Sequence, residues 1–287
     1  MSIQSIMFNI GTSRSDKKRD AAIPIPTGVV ENRDIRYSGK LLLDVYYPVG
    51  TVEQLPTIVS IHGGGYVYGN KEIYRRYCMD LAKRGFAVVN FNYRLAPKGK
   101  FPAPLEDTNR VMAWICENAA EYHMDPMKIF VVGDSAGAQL ASQYGAIWSN
   151  SGYGKLFDFE VPKIHIRALG LNCGMYDCKG MGAEPRKGFV RDYLPRKLDA
   201  RDPRLDVLAA VTDQFPPSHI TTAYHDFLRD NAEPMCQYLQ SRNVNAVWEI
   251  YGQEGNADIG HVFHVNILLA EAVACNDSQT AFFRKQV

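Results

Sequence analysis

The chain has 287 residues, enough for one large domain with a well-buried core. Hydrophobic residues make up 46% and charged residues 22%, and a formal net charge of +1 gives no footing for nucleic acid or an anionic membrane surface as partner. No apolar run approaches the roughly 20 residues of a spanning helix, and Lys17, Lys18 and Arg19 follow the N-terminal apolar residues instead of preceding them, so neither a membrane span nor a secretory signal is expected and the reading is cytoplasmic.

In chain order, the segment to about Glu31 reads as polar and irregular, with Pro24, Pro26 and Gly28: an N-terminal arm or partial cap ahead of a main domain over 32–287. Eight strands are predicted. Arg33–Tyr37 and Leu41–Tyr47, separated by Ser38, Gly39 and Lys40, read as an antiparallel hairpin. Thr57–His62, Ala87–Tyr93, Ile129–Gly133, Ile166–Leu171, Ile220–His225 and Ala246–Tyr251 are short and apolar, several of them almost continuously so, as in strands covered on both faces. Helical patterns lie between most of them. Ile73, Tyr77 and Leu81 recur every fourth residue before Gly85, and Val111, Met112, Ile115 and Cys116 form a second stripe. Small residues Gly137, Ala138, Ala141 and Gly145 allow a close helix–sheet approach, and Met235, Tyr238 and Leu239 mark a helix near Ala232–Gln240. The alternation predicts an α/β fold, a mostly parallel eight-stranded sheet with helices on both faces, which binds ligands beyond the carboxyl ends of its strands.

From Cys173 to about Pro217 no strong strand appears, so a lid insertion is expected over about 174–217; its run of charges reads as a solvated outer face. The six cysteines (Cys78, Cys116, Cys173, Cys178, Cys236, Cys275) are scattered and read as free thiols. Cys173 and Cys178 lack a second pair or a neighbouring histidine in the sequence, so no metal is expected.

Two motifs carry chemistry. Gly133, Asp134, Ser135, Ala136 and Gly137 fit G-x-S-x-G, a sharp strand-to-helix turn that exposes a serine hydroxyl. Upstream, His62, Gly63, Gly64 and Gly65 fit a glycine loop whose backbone N–H groups can hold an oxyanion. A serine hydroxyl needs a base, and the base an orienting carboxylate. In the order Ser, acid, His, the candidates are Asp226, directly after the seventh predicted strand, and His261, after the polar loop Gly252–Gly260. Asp230 and His264 are the rivals for acid and base. His225 and His62 read as structural, the latter steadying its loop. Asp134 reads as a local hydrogen-bonding group, and Arg94 with Asp107 as a structural pair. Tyr66 and Tyr68 line the substrate pocket or cap the core.

With these residues in place, the chain resembles the hormone-sensitive-lipase-like branch of the α/β-hydrolases. The likeness runs through His62 to Tyr66, Tyr93 to Pro97, Phe101 to Asp107, Gly133 to Gly137, Pro216 and Pro217, Asp226 to Asp230 and His261 to Phe263. Phe227, Val262 and Ala138 stand where that family usually carries Pro, Gly and Gly. The resemblance implies a cofactor-free carboxylic-ester hydrolase for small soluble acyl esters. Ser135 would be its nucleophile, Asp226 its orienting acid and His261 its base, with oxyanion donors on Gly64, Gly65 and Ala136. A sugar-linked ester is one substrate form. An amidase or formamidase with the same triad, and an idle receptor of this fold, are the alternatives. The resemblance also hints at a homodimer through the strand Ala246–Tyr251.

Overall fold

The computed structural model describes residues 1–176, 180–183 and 185–287. Its eight strands form one sheet: β1 (Val29–Ser38), β2 (Leu41–Pro48), β3 (Leu55–Ile61), β4 (Ala87–Phe91), β5 (Met124–Asp134), β6 (Ile166–Asn172), β7 (Ser218–Ala223) and β8 (Ala246–Tyr251). Their order is β1-β2-β4-β3-β5-β6-β7-β8. β1 pairs with β2 and β2 with β4 antiparallel, and every later pairing is parallel.

The period of two along each strand divides the core. Ile58, Val88 and Phe130 point to one face, where Tyr77 and Leu81 of α2 (Lys71–Lys83) and Phe283 of α8 (Ala270–Arg284) cover them. Val59, Val89 and Val131 point to the other, beneath α3 (Ala103–Asn118), α4 (Ala136–Ser149) and α7 (Ala232–Ser241). Central strands buried on both faces must be apolar throughout, which is why Ala87–Phe91 carries no alternation. Two further helices are short, α5 (Ser151–Gly154) and α6 (Gly188–Tyr193). α6 lies in the predicted insertion, which otherwise holds 3₁₀ turns.

The N-terminal expectation needs correction. Residues Ile3–Ala22 form a 20-residue helix, α1, not an irregular arm. Its apolar residues Ile3, Ile6, Met7 and Ile10 face outward, so the usual buried stripe is missing. Phe8, packed on Phe189 and Tyr68, and a set of polar contacts dock it instead. Ser2 caps its first turn; the Ser2 N–H and Ser5 Oγ donate to Asp192 Oδ2 at 2.6 and 2.7 Å, and Tyr68 Oη donates to Asp16 Oδ2 at 2.8 Å. A smaller correction concerns β7, which ends at Ala223, so Asp226 sits on the turn after the strand and not directly at its end.

Candidate active site

β5 stops at Asp134 and α4 starts at Ala136, leaving Ser135 alone between them at φ 53°, ψ −117°. A side chain with φ > 0 is strained, and the surroundings hold it there. The Ser135 N–H donates to the Asn172 carbonyl of β6 at 3.0 Å. Glycines flank the turn because nothing larger fits. A Cβ on Gly133 would strike the Gly137 carbonyl, and one on Gly137 the carbonyls of Ile61 and His62. The turn thereby presents the N–H of Ala136 at a helix N-terminus, where the backbone dipole favours negative charge.

The glycine loop leaves β3 at Ile61. His62 is buried, stacked on Tyr93 at 4.1 Å between centroids, and its Nδ1 lies 2.8 Å from the Gly63 carbonyl oxygen. Burial pushes this ring down to about 4, so it stays neutral and braces the loop, as the sequence suggests. Gly64 and Gly65 adopt φ 103° and 58°, the left-handed region open to glycine. The Gly63 N–H donates to Tyr74 Oη at 3.1 Å, whereas those of Gly64 and Gly65 donate to no acceptor among the described residues.

Across the sheet end, His261 Nδ1 lies 2.7 Å from Asp226 Oδ1. Asp226 also accepts from the Leu228 N–H at 2.9 Å and from Thr222 Oγ1 at 3.0 Å. Burial alone would raise this carboxyl; the His261 hydrogen bond and charge, with the other donors, hold it below its ordinary value. It is therefore ionised and fixes the histidine's orientation. Asp230 and His264 take no part in the Asp226–His261 contact. Asp230 is 90% exposed in its side chain and pairs with Arg229, on a 3₁₀ turn before α7. His264 is buried, and neither ring nitrogen has a partner among the described residues. His225 turns outward to the Glu254 carbonyl, 2.9 Å away, bracing the loop that leads to His261.

Ser135, His261, Ala136, Gly64, Gly65, Tyr66 and Tyr68 all line one cavity of about 510 Å³. Tyr66 is buried, donates to Gln139 Oε1 at 3.0 Å and stacks on Tyr193. α1 closes one side with Phe8, Thr12, Ser15, Asp16 and Arg19. From 174–217 the lining residues are Met175, Phe189 and Val190, so the charged residues described there do not face the cavity. Phe227, 76% exposed, lies with its ring 4.2 Å from that of His261. A larger hollow of about 640 Å³ between Asn150 and Ala210 contains none of the predicted site residues.

Sequence reasoning allowed for an N-terminal partial cap but missed its helical form, and it missed Phe189 and Tyr74, whose hydroxyl donates to Asp134 Oδ2 at 2.8 Å. It also treated Cys173 as a bland thiol. Cys173, Asp226 and His261 have ligand atoms within 4.8 Å of one another, the grouping a metal ion would use, and two of these atoms, His261 Nδ1 and Asp226 Oδ1, are 2.7 Å apart. Cys178 lies outside the described residues; the five described cysteines are free. Arg94 and Asp107 do pair, the Arg94 Nε donating to Asp107 Oδ2 at 2.8 Å.

A β-sheet of this order with a strained serine turn beside a glycine loop defines the alpha/beta hydrolase fold, and the family model of that description matches residues 58–264. The chain belongs to this family, in its hormone-sensitive-lipase-like branch. It is 30% identical to carboxylesterase NlhH of Mycobacterium tuberculosis over 77% of this chain and 72% of that one. With an acetyl esterase of Salmonella agona it shares 27% identity over 81% and 70%. Among solved structures, esterase B of Lactobacillus rhamnosis superposes with a TM-score of 0.86 at 23% identity, covering 96% of this chain and 92% of that one. A hyperthermophilic esterase of Pyrobaculum calidifontis superposes at 0.76 with 28% identity, covering 99% and 91%.

Proposed function

We propose that this carboxylic-ester hydrolase cleaves short-chain acyl esters through an acyl-enzyme on Ser135. The carrying observation is the 2.7 Å Asp226–His261 contact, with His261 lining the same cavity as Ser135 and the two uncommitted glycine N–H groups. Ser135 Oγ attacks the ester carbonyl carbon as His261 Nε2 takes the hydroxyl proton, and the ionised Asp226 stabilises the resulting imidazolium. The carbonyl oxygen becomes an oxyanion facing the N–H groups of Gly64, Gly65 and Ala136. His261 returns the proton to the departing alcohol oxygen as the carbon–oxygen bond breaks. Water then adds to the acyl-enzyme with His261 again as base, releasing the carboxylic acid and Ser135.

α1 and the stretch 174–217 serve as the cover of this site, since both contribute lining residues. Among the described residues no helix is long and apolar enough to cross a membrane, and the five described cysteines are free, which fits a reducing, cytoplasmic setting. The substrates of the esterase relatives support the ester reading over an amide one. The test is a series of p-nitrophenyl esters of rising acyl length. Turnover should be highest for short chains and should vanish in Ser135→Ala, along with labelling by a fluorophosphonate. Undiminished turnover in that variant would remove the nucleophile.

A further inference from the structure

We infer that Tyr74 is a positioning residue, whose hydroxyl ties the glycine loop to the serine turn and so fixes where the oxyanion donors point. A phenol oxygen can accept and donate at once, and this one does both: it accepts from the Gly63 N–H at 3.1 Å and donates to Asp134 Oδ2 at 2.8 Å. The two tied segments are the ones that matter. Gly63 precedes the uncommitted amides of Gly64 and Gly65, and Asp134 precedes Ser135 and the Ala136 amide.

The loop has no slack toward Asp134, because a Cβ on Gly63 would collide with the Asp134 carboxylate and carbonyl. Tyr74 is itself held, buried within the α2 core beside Tyr77. The relay therefore transmits the position of a packed helix to both sides of the oxyanion site. Burial raises the Asp134 carboxyl to about 6, with the Tyr74 hydrogen bond and the His261 charge opposing that rise. Without the phenol hydroxyl, the Gly63 N–H and the carboxylate are both buried and short of a partner, and the Gly63 amide turns toward Asp134. The Gly64 amide turns with it.

The inference rests on the assignment of Gly64, Gly65 and Ala136 as oxyanion donors. Outright removal of such a donor costs about 10²–10³ in kcat, so a misaimed pair should cost about tenfold. The experiment uses Tyr74→Phe with p-nitrophenyl butyrate and a butyl trifluoromethyl ketone, which forms a hemiketal oxyanion on the serine. The expected result is kcat about tenfold lower, KM within twofold, and ketone affinity weakened by the same factor as kcat/KM. Asp134→Ala, which removes the relay's other end, should weaken the ketone comparably, and adding Tyr74→Phe to it should cost little more. Unchanged ketone affinity, or two losses that simply multiply, would overturn the inference. If instead wild-type enzyme ignores the ketone and Ser135→Ala keeps its turnover, the catalytic assignment itself has failed.

Discussion

Asp226, the proposed orienting acid, is held as an anion inside the protein by the donors around it. Three donors surround it, from His261, Leu228 and Thr222. In Asp226→Asn the amide keeps the shape but presents an N–H to the His261 Nδ1, which then needs the other tautomer and cannot take the Ser135 proton. The expected loss is about 10⁴ in kcat with near wild-type circular dichroism, read on p-nitrophenyl butyrate. Asp230→Asn should leave turnover within twofold. Val262 is a second instructive residue, a β-branched side chain at φ 57° immediately after His261. Such a conformation costs of order 1–3 kcal/mol. The structure retains it, and the turn it makes carries the chain from His261 to the buried Phe263. Val262→Gly should relieve the strain yet loosen the base, with kcat falling several-fold in a kinetic comparison while KM holds.

The elements differ in how plainly the sequence announces them. β8, an edge strand, is read to the residue, and β3 to β7 are read within five positions at their ends, these inner strands because they must be apolar wherever both faces are covered. The serine turn and glycine loop are legible for a steric reason: their glycines occupy places where a Cβ collides or φ is positive. α1 escaped because its docking depends on Ser2, Ser5, Asp16 and a distant Asp192, and pattern reading weighs apolar spacing, not polar pairs far apart in sequence. Tyr74 and Phe189 escaped for a related reason, since nothing local distinguishes a lining aromatic from a core one. Two expectations follow for helices. Asp192→Ala removes both acceptor contacts at the start of α1, so amide hydrogen exchange over its first turns should quicken and KM for butyrate esters should rise several-fold. Unchanged exchange would mean that the outer contacts of α1 suffice. At the opposite end, Phe283 of α8 is fully buried and stacks on Phe130 at 4.6 Å between centroids. Phe283→Ala should cost about 3–5 kcal/mol in urea unfolding.

At the scale of the whole molecule, two features lie outside the proposed catalytic constellation. β8 closes the sheet with only β7 beside it, and Val247, Trp248 and Ile250 on it are 38%, 36% and 43% exposed. An exposed edge of this kind invites pairing with a second copy, antiparallel about a two-fold axis; sedimentation should give a dimer that Ile250→Lys dissociates. The other feature is acid sensitivity. Burial holds the His264 ring down at about 3, against an ordinary 6.5, and His62 at about 4. As pH falls below 6.5 the unfolded chain protonates these imidazoles while the folded one does not, so the stability they contribute is complete above 6.5 and lost progressively below it. Asp134 works in the opposite sense: burial raises it from 3.8 to about 6, so the folded state keeps a proton that the unfolded chain releases. Between about pH 4 and 6 it offsets one of these two histidines. His264→Leu removes one of them. Relative to wild type, the variant should gain about 1.4 kcal/mol per pH unit from pH 6.5 down to 4, measured as urea unfolding free energy. Parallel curves for the two proteins would mean that the folded state protonates His264 where it lies.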